Sequence, residues 1–228
     1  YSVFNNDNQK TILYRISQQE DTVIYETCSS VLDVLSTKLG LVIVASDKLV
    51  MISEHDTAHK VNIPLPVTCV STASPFGSFF LLGTKTGHLI LVDTRSTVPI
   101  VTIQSHPVKT EITAVAIAMQ EWSEKTEHLK LKTWIGTCHG LHLCDLDGRL
   151  VDGRGFETDF AVMAIMAPLG ANYLVASTDS GVKYYEWRQD KLLDISNFDN
   201  QVTAMRIVNG RLLVGFSDGR LMIVPRSQ

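Results

Sequence analysis

A pair of glycines four residues apart recurs along this chain inside apolar segments. In the clearest copy, residues 79–93, an apolar strand containing Gly83 leads into a short turn closed by Gly87, and a second apolar strand follows. Other copies keep glycine or alanine in the first position and lie at similar spacing. The five small residues are Ala45, Gly83, Gly136, Ala176 and Gly215.

The intervals between these small residues are 38, 53, 40 and 39 residues. A period of about 40 residues with short strands is typical of propeller blades. The long interval contains a polar insertion at residues 120–130, which we interpret as a loop. The pattern therefore predicts an all-β chain, a β-propeller of four-stranded antiparallel blades. Hairpins arranged in a two-sheet sandwich are the alternative.

Each glycine of the pair has a predicted role. The glycine that closes the turn supplies the positive φ that a tight hairpin requires. The small residue before it indicates a crowded strand. We therefore expect Gly83→Val and Gly215→Val to overpack the inner part of a blade.

Strand counting predicts how the blades are distributed along the chain. The first 26 residues contain three strands, four complete four-strand units follow, and residues 202–224 contain three more. The total is 22 strands, against 24 in a ring of six blades. About six blades are expected, with five or seven as alternatives and with the ring incomplete at the chain ends.

Composition limits the class of protein. The 228 residues are 45% hydrophobic, which suffices for one core, so we expect residues 1–228 to form one domain. A net charge of −4 argues against sequence-independent nucleic-acid binding. Four scattered cysteines indicate no disulfide framework and favour a cytoplasmic location. Because the sequence starts with Tyr1, we expect a piece of a larger multidomain protein.

Residues 160–177 carry no charge but are interrupted by Pro168 and Gly170. Two buried strands joined by a turn explain this segment better than a membrane-spanning helix.

Two of the hairpins resemble the central strands of WD-repeat propellers. They are Leu-Leu-Gly-Thr-Lys-Thr-Gly-His-Leu-Ile-Leu-Val-Asp at 81–93 and Leu-Leu-Val-Gly-Phe-Ser-Asp-Gly-Arg-Leu-Met-Ile-Val at 212–224. Residues 134–148 also resemble the citron-homology type of propeller, which is our second choice of family. The Trp-Asp strand ending of WD repeats is absent, and the Gly87-His88 pair lies in a hairpin. We therefore do not assign the roles of the WD-repeat hydrogen-bond network to any residues of this chain.

The resemblance implies a non-catalytic protein–protein interaction scaffold within a larger cytosolic signalling or vesicle-trafficking protein. On this interpretation the hairpin turns bind a protein partner, and the candidate residues are Lys85, His139, Asp179 and Asp218. Trp122 is a further candidate, because tryptophan is enriched at interaction hot spots. Local packing of Trp122 against its own blade is the alternative.

No catalytic, cofactor-binding or metal-binding residue is predicted. The sequence lacks a Gly-x-Ser-x-Gly nucleophile motif and a glycine-rich phosphate loop. Two groups of candidate ligands have spacings that fit neither zinc nor calcium sites. They are Cys138, His139, His142 and Cys144, and Asp145, Asp147, Asp152 and Glu157.

The alternative function is a propeller enzyme or a small-ligand-binding disc with its site at the central channel. The predicted inner strands, residues 31–35, 112–119 and 160–166, are apolar and offer few polar groups there.

Overall fold

A computed structural model describes the chain over fourteen ranges. These are residues 2–5, 11–15, 22–53, 57–71, 78–105, 108–123, 128–145, 150–157, 161–167, 173–179, 181–186, 191–196, 202–208 and 211–224. Within these ranges the regular secondary structure consists of 22 β-strands, and none of the described residues forms a helix long and apolar enough to span a membrane.

The strands form six antiparallel sheets, which we number as blades 1–6. Blade 1 contains β1 Ser2–Asn5, β2 Thr11–Arg15 and β3 Thr22–Thr27. Blade 2 contains β4 Val31–Thr37, β5 Gly40–Ala45, β6 Lys48–Ser53 and β7 Ala58–Asn62. Blade 3 contains β8 Val67–Val70, β9 Phe79–Thr84, β10 Leu89–Asp93 and β11 Ile100–Ser105.

The second half of the chain repeats this order. Blade 4 contains β12 Ile112–Ser123, β13 His128–Thr137, β14 Gly140–Asp145 and β15 Leu150–Glu157. Blade 5 contains β16 Val162–Met166, β17 Tyr173–Thr178, β18 Gly181–Glu186 and β19 Lys191–Ser196. Blade 6 contains β20 Val202–Val208, β21 Arg211–Phe216 and β22 Leu221–Val224.

The predicted distribution of strands is confirmed. Blades 2 to 5 have four strands each, and the described parts of blades 1 and 6 have three. The uncharged segment 160–177 contributes β16 and β17, as expected. The turn glycines at 87, 140, 181 and 219 all have positive φ.

The apolar core is divided into clusters that join consecutive blades. One cluster combines Val44 and Met51 of blade 2 with Phe80 and Val92 of blade 3. Four further clusters join blades 1 and 2, 3 and 4, 4 and 5, and 5 and 6 in the same way. The first strands of blades 2 to 6 also contact one another in succession. The blades therefore pack in series around their first strands, and the two-sheet sandwich was the wrong alternative.

Every first strand from blade 2 onward has a register shift at the same place. The shift lies between the first and third residues, so the second residue bulges; the bulged residues are Leu32, Thr68, Thr113, Met163 and Thr203. The Thr68 hydroxyl donates to the Ile112 carbonyl of the next blade at 2.5 Å. The Thr113 hydroxyl donates to the Val162 carbonyl, again in the next blade. The bulge therefore directs a hydroxyl between blades.

The small residues of the second strands give room for the next blade. A Cβ on Gly83 would lie 2.6 Å from Cγ2 of Ile112, and one on Gly136 would lie 2.5 Å from Cγ1 of Val162. Around Gly215 the nearest atom would be Ala204 Cβ at 3.6 Å, which is an ordinary contact. The expected overpacking is supported at Gly83, whereas the described atoms around Gly215 leave room for a Cβ and do not support it there.

The polar insertion at residues 120–130 is not a simple loop. Strands β12 and β13 continue into it, with Glu121 opposite Lys130 and Trp122 opposite Leu129. The third strand, β14, extends only as far as the pair formed by Lys132 and Asp145. Beyond that point the four rungs from Gln120 to Ser123 form a two-stranded ribbon, about 13 Å long at the usual strand rise.

Candidate protein-interaction surfaces

Four of the predicted partner-binding residues lie in equivalent turns. Lys85, His139, Asp179 and Asp218 occupy the turns between the second and third strands of blades 3, 4, 5 and 6, and all four are exposed. Because the blades share one strand order, these turns lie on one face of the disc. We call this the turn face.

Backbone hydrogen bonds join the turn face to the segments that enter the first strands. The Lys85 N–H donates to the Pro66 carbonyl at 2.9 Å, and the Asp179 N–H donates to the Ala161 carbonyl at 3.2 Å. A Cβ on Gly87 would collide with the Val108 carbonyl oxygen, so the turn and the next connection are in close contact. These contacts join the turns of blades 3 and 5 to the segments that enter the first strands.

A threonine stabilises several of these turns, a signal that the sequence analysis missed. The Thr178 hydroxyl donates to the Gly181 carbonyl at 2.9 Å, and the Thr137 hydroxyl donates to the Gly140 carbonyl at 3.3 Å. The His139 N–H in turn donates to the Thr137 hydroxyl oxygen at 3.1 Å. A threonine lies three residues before Gly87, Gly140 and Gly181, though not before Gly219, and this spacing could have identified three of the four turns.

Asp218 has an intramolecular role within its turn. Its carboxylate accepts a hydrogen bond from the Arg220 N–H at 3.1 Å and another from the Arg220 Nε at 2.6 Å. These hydrogen bonds lower the pKa of Asp218, with the backbone N–H as the largest cause. Asp93 and Arg95 repeat the arrangement. An aspartate two residues before an arginine therefore organises a turn here.

Trp122 lies far from the turn face. Strand β12 begins opposite Thr137, beside the His139 turn, and Trp122 is near its other end. The ribbon that contains Trp122 therefore extends from the opposite face of the disc. The structure thus does not bring Trp122 together with the other four candidates.

The suggested zinc ligands do not form a cluster. Cys138 and His139 are exposed in the turn, whereas Cys144 is buried and its thiol donates to the Thr133 carbonyl at 3.6 Å. Within the described part of the chain, no group of three or more His, Cys, Asp or Glu residues could hold a metal ion. Asp147 of the suggested calcium group lies outside the described residues.

The cysteines are expected to differ in reactivity. Burial raises the pKa of the Cys69 and Cys144 thiols to about 12, so both stay protonated at pH 8. Cys28 and Cys138 are exposed. Maleimide labelling of the native protein at pH 8, followed by intact-mass measurement, should therefore add two labels, and unfolding in urea should add four. Rapid labelling of Cys69 or Cys144 in the native state would contradict the described packing.

An outer strand presents an uncharged apolar edge. β11 is the outermost strand of blade 3 and pairs only with β10. Ile100 and Ile103 on this strand are 58% and 46% exposed, and Val98 just before it is 48% exposed. The other four outer strands, β3, β7, β15 and β19, each contain charged residues, whereas β11 contains none. Charged residues are a common protection of sheet edges, so β11 is an unprotected edge. We call it the β11 edge.

No protein-family model matches the chain, and no curated protein matches its sequence. Solved structures do match. The WD40 repeats of RRP9 are 13% identical, with a TM-score of 0.69 over 100% of this chain and 66% of that one. U3-55K is 13% identical, with a TM-score of 0.67 over 96% of this chain and 65% of that one.

A third match is a chain of the mitotic checkpoint complex, which is 18% identical with a TM-score of 0.64, over 94% of this chain and 69% of that one. This chain has the fold of a WD40-repeat propeller. It spans about two thirds of the length of each matched WD40 chain. At these identities the likeness establishes the fold, including the four-stranded antiparallel blade, and assigns no partner.

Proposed function

We propose that this WD40-type propeller is a non-catalytic protein-interaction scaffold within a larger cytoplasmic protein. Signalling or vesicle trafficking is the proposed setting. The similarity to the WD40 repeats of RRP9 and to a chain of the mitotic checkpoint complex supports a role in binding proteins. Their greater length supports the proposal that residues 1–228 belong to a longer protein.

The β11 edge is the observation that carries this proposal. Its outward backbone groups are available to a further strand, and its exposed residues are β-branched and uncharged. Exposed apolar surface of this kind marks protein-interaction sites. Addition of an extended segment to a sheet edge is a recurring mode of peptide recognition, in which main-chain hydrogen bonds give affinity and alternate side chains give specificity. Ile100 and Ile103 are three residues apart and face opposite sides of the sheet, so the proposed partner contributes an extended segment with apolar residues on both faces.

The test compares partner capture by the parent protein and by an Ile100→Lys/Ile103→Lys variant. Two lysines on the edge should weaken binding by about tenfold or more, because the partner strand would have to bury their charges. Asn62→Lys is the matched control, because it adds a lysine to β7, an outer strand of another blade. Melting temperatures of all variants should stay within a few degrees of the parent.

Hydrogen exchange then locates the contact. Binding of the captured partner should slow exchange of the β11 amides. Unchanged capture by the double-lysine variant would reject the β11 edge as the binding site. Loss of capture with Trp122→Ala or with a Lys85→Glu variant would instead assign binding to the ribbon or to the turn face. Failure of the native protein to capture any protein specifically would overturn the scaffold proposal itself.

A further inference from the structure

The hydrogen-bond pattern inside blade 3 determines which backbone groups point out from its outer edge. The Thr94 N–H donates to the Ser78 carbonyl at 2.9 Å, and the Thr84 N–H donates to the His88 carbonyl at 3.2 Å. Hydrogen-bonded and non-hydrogen-bonded rungs alternate along an antiparallel pair. The even-numbered residues of β10 therefore bond to β9, and its odd-numbered residues bond to β11.

This alternation gives two residues of β11 outward backbone groups. Ile100 and Thr102 lie opposite odd-numbered residues of β10 and bond to them. Val101 and Ile103 lie opposite even-numbered residues, so their N–H and C=O groups point away from β10, where no described strand pairs with them. The regular edge is short, because Pro99 has no N–H and a register shift follows Ile103. β11 thus presents its outward donors and acceptors at two positions that are two residues apart.

We propose that a second copy of this chain occupies the β11 edge, with the two β11 strands antiparallel about a two-fold axis perpendicular to the sheet. Thr102 lies on this axis, opposite Thr102 of the second copy. Val101 then lies opposite Ile103 of the second copy, and their outward N–H and C=O groups bond to each other. The four strands of blade 3 in each copy become half of one continuous sheet. This inference rests on the proposed function, because it names the occupant of the β11 edge.

The outward groups select this register. An axis through Val101 would place Ile103 opposite Pro99 of the second copy, which has no N–H to donate. An axis through Ile103 would place Val101 opposite Ser105, which lies beyond the register shift. With the axis at Thr102, each outward N–H and C=O of Val101 and Ile103 has a partner in both copies.

The side chains of β11 favour its own copy over a different protein. A symmetric strand pair brings each residue near its own copy, so a charged residue would approach a like charge. β11 contains no charged residue, whereas the other four outer strands do. Opposed Val101 and Ile103, and opposed Thr102 residues, are favourable cross-strand pairs. β11 is also already ordered, so pairing costs less conformational entropy than ordering a flexible segment of another protein.

Sedimentation velocity over about a hundredfold range of protein concentration measures the dimer. The native protein should change from monomer to dimer over this range, because so short an interface is weak. Ile103→Pro removes an outward N–H without breaking a bond to β10, and it should raise the dissociation constant at least about tenfold. Ala58→Pro is the matched control in β7, where the Ser53 N–H bonds to the Thr57 carbonyl and the Ala58 N–H points outward. It should leave the dissociation constant unchanged, and both variants should melt within a few degrees of the native protein.

Cysteine cross-linking tests the register of the proposed pair. The background carries Cys28→Ser and Cys138→Ser, which remove the two exposed native thiols. Thr102→Cys in this background should form an intermolecular disulfide with a thiol oxidant, because opposed residues of a non-hydrogen-bonded pair have Cα atoms about 4.5 Å apart. Ile100→Cys is the matched control and should stay reduced, since its two copies would lie more than about 10 Å apart.

The outcomes separate this inference from the proposed function. A monomer at every concentration, or a dimer that persists in Ile103→Pro, would overturn the second copy as occupant. Cross-linking of Ile100→Cys instead of Thr102→Cys would reject the two-fold register. A monomer that captures another protein through the β11 edge would also reject the second copy, but it would leave the scaffold proposal standing. A β11 dimer that captures no protein of different sequence would support this inference and count against the wider scaffold role.

Discussion

Valine at Gly136 is expected to lower the free energy of unfolding by about 1–3 kcal/mol, and by more if Val162 cannot move. A Cβ at this position would lie 2.5 Å from Cγ1 and 2.9 Å from Cβ of Val162, closer than real side chains approach. Because Val162 begins the first strand of blade 5, relief of the collision requires the two blades to separate. Gly83→Val should also destabilise the protein, because its Cβ would lie 2.5 Å from Cys69 Sγ of the same blade and 2.6 Å from Ile112 Cγ2 of the next blade.

Gly215→Val provides the matched control. The substitution and the strand position are the same, but the nearest described atom to a Cβ there is Ala204 Cβ at 3.6 Å, so the change should stay within about 0.5 kcal/mol. Urea denaturation followed by circular dichroism measures all three variants. Equal destabilisation at Gly136 and Gly215 would show that the cost arises from the strand itself and not from the neighbouring blade.

These glycines also show which parts of the fold were predictable from sequence. Their spacing predicted the strands and the blade repeat, because a tight turn and a crowded strand each require a small residue locally. Whether Gly215 is crowded depends on a neighbour that is distant in sequence. The spacing therefore located the small residues correctly, but it did not predict which of them a neighbouring side chain contacts.

The residues around Trp122 show a different limit. A polar, charged stretch usually indicates a loop, and it was interpreted that way. Pairing of Glu121 with Lys130 across two strands allows the same composition to form a ribbon. The register between β12 and β13 depends on both strands, so the composition of this stretch alone does not determine it.

The candidate binding surfaces were only partly predictable. The turn face was expected from the repeat, since equivalent turns meet on one side of the disc. The β11 edge was missed because the sequence analysis counted this strand only as one member of a four-strand unit. Comparison of all five outer strands would have revealed that β11 alone contains no charged residue. The inter-blade hydrogen bonds of Thr68 and Thr113 depend on a β-bulge, and no local sequence pattern predicted that bulge.

Phe80→Ala is expected to destabilise the protein by about 3–5 kcal/mol, the usual cost of truncating a fully buried phenylalanine. Phe80 is fully buried in the cluster that joins blades 2 and 3, beside Val44 and Met51. Removal of its ring leaves a cavity between two blades that neighbouring hydrogen bonds hold in place. The loss is a large part of the 5–15 kcal/mol that stabilises a typical domain. Ile100→Ala, exposed on the same blade, should change stability by no more than about 0.5 kcal/mol.

The same variant tests whether the blades unfold together. Of the three tryptophans, Trp122 and Trp134 lie in blade 4 and Trp187 lies outside the described residues, so the fluorescence of Trp122 and Trp134 reports a different blade from the mutated site. Because shared clusters connect each blade to the next, Phe80→Ala should lower the urea midpoint of tryptophan fluorescence as much as that of circular dichroism. An unchanged fluorescence midpoint would mean that blade 4 stays folded without blades 2 and 3. The inter-blade clusters would then add local stability without making the disc a single cooperative unit.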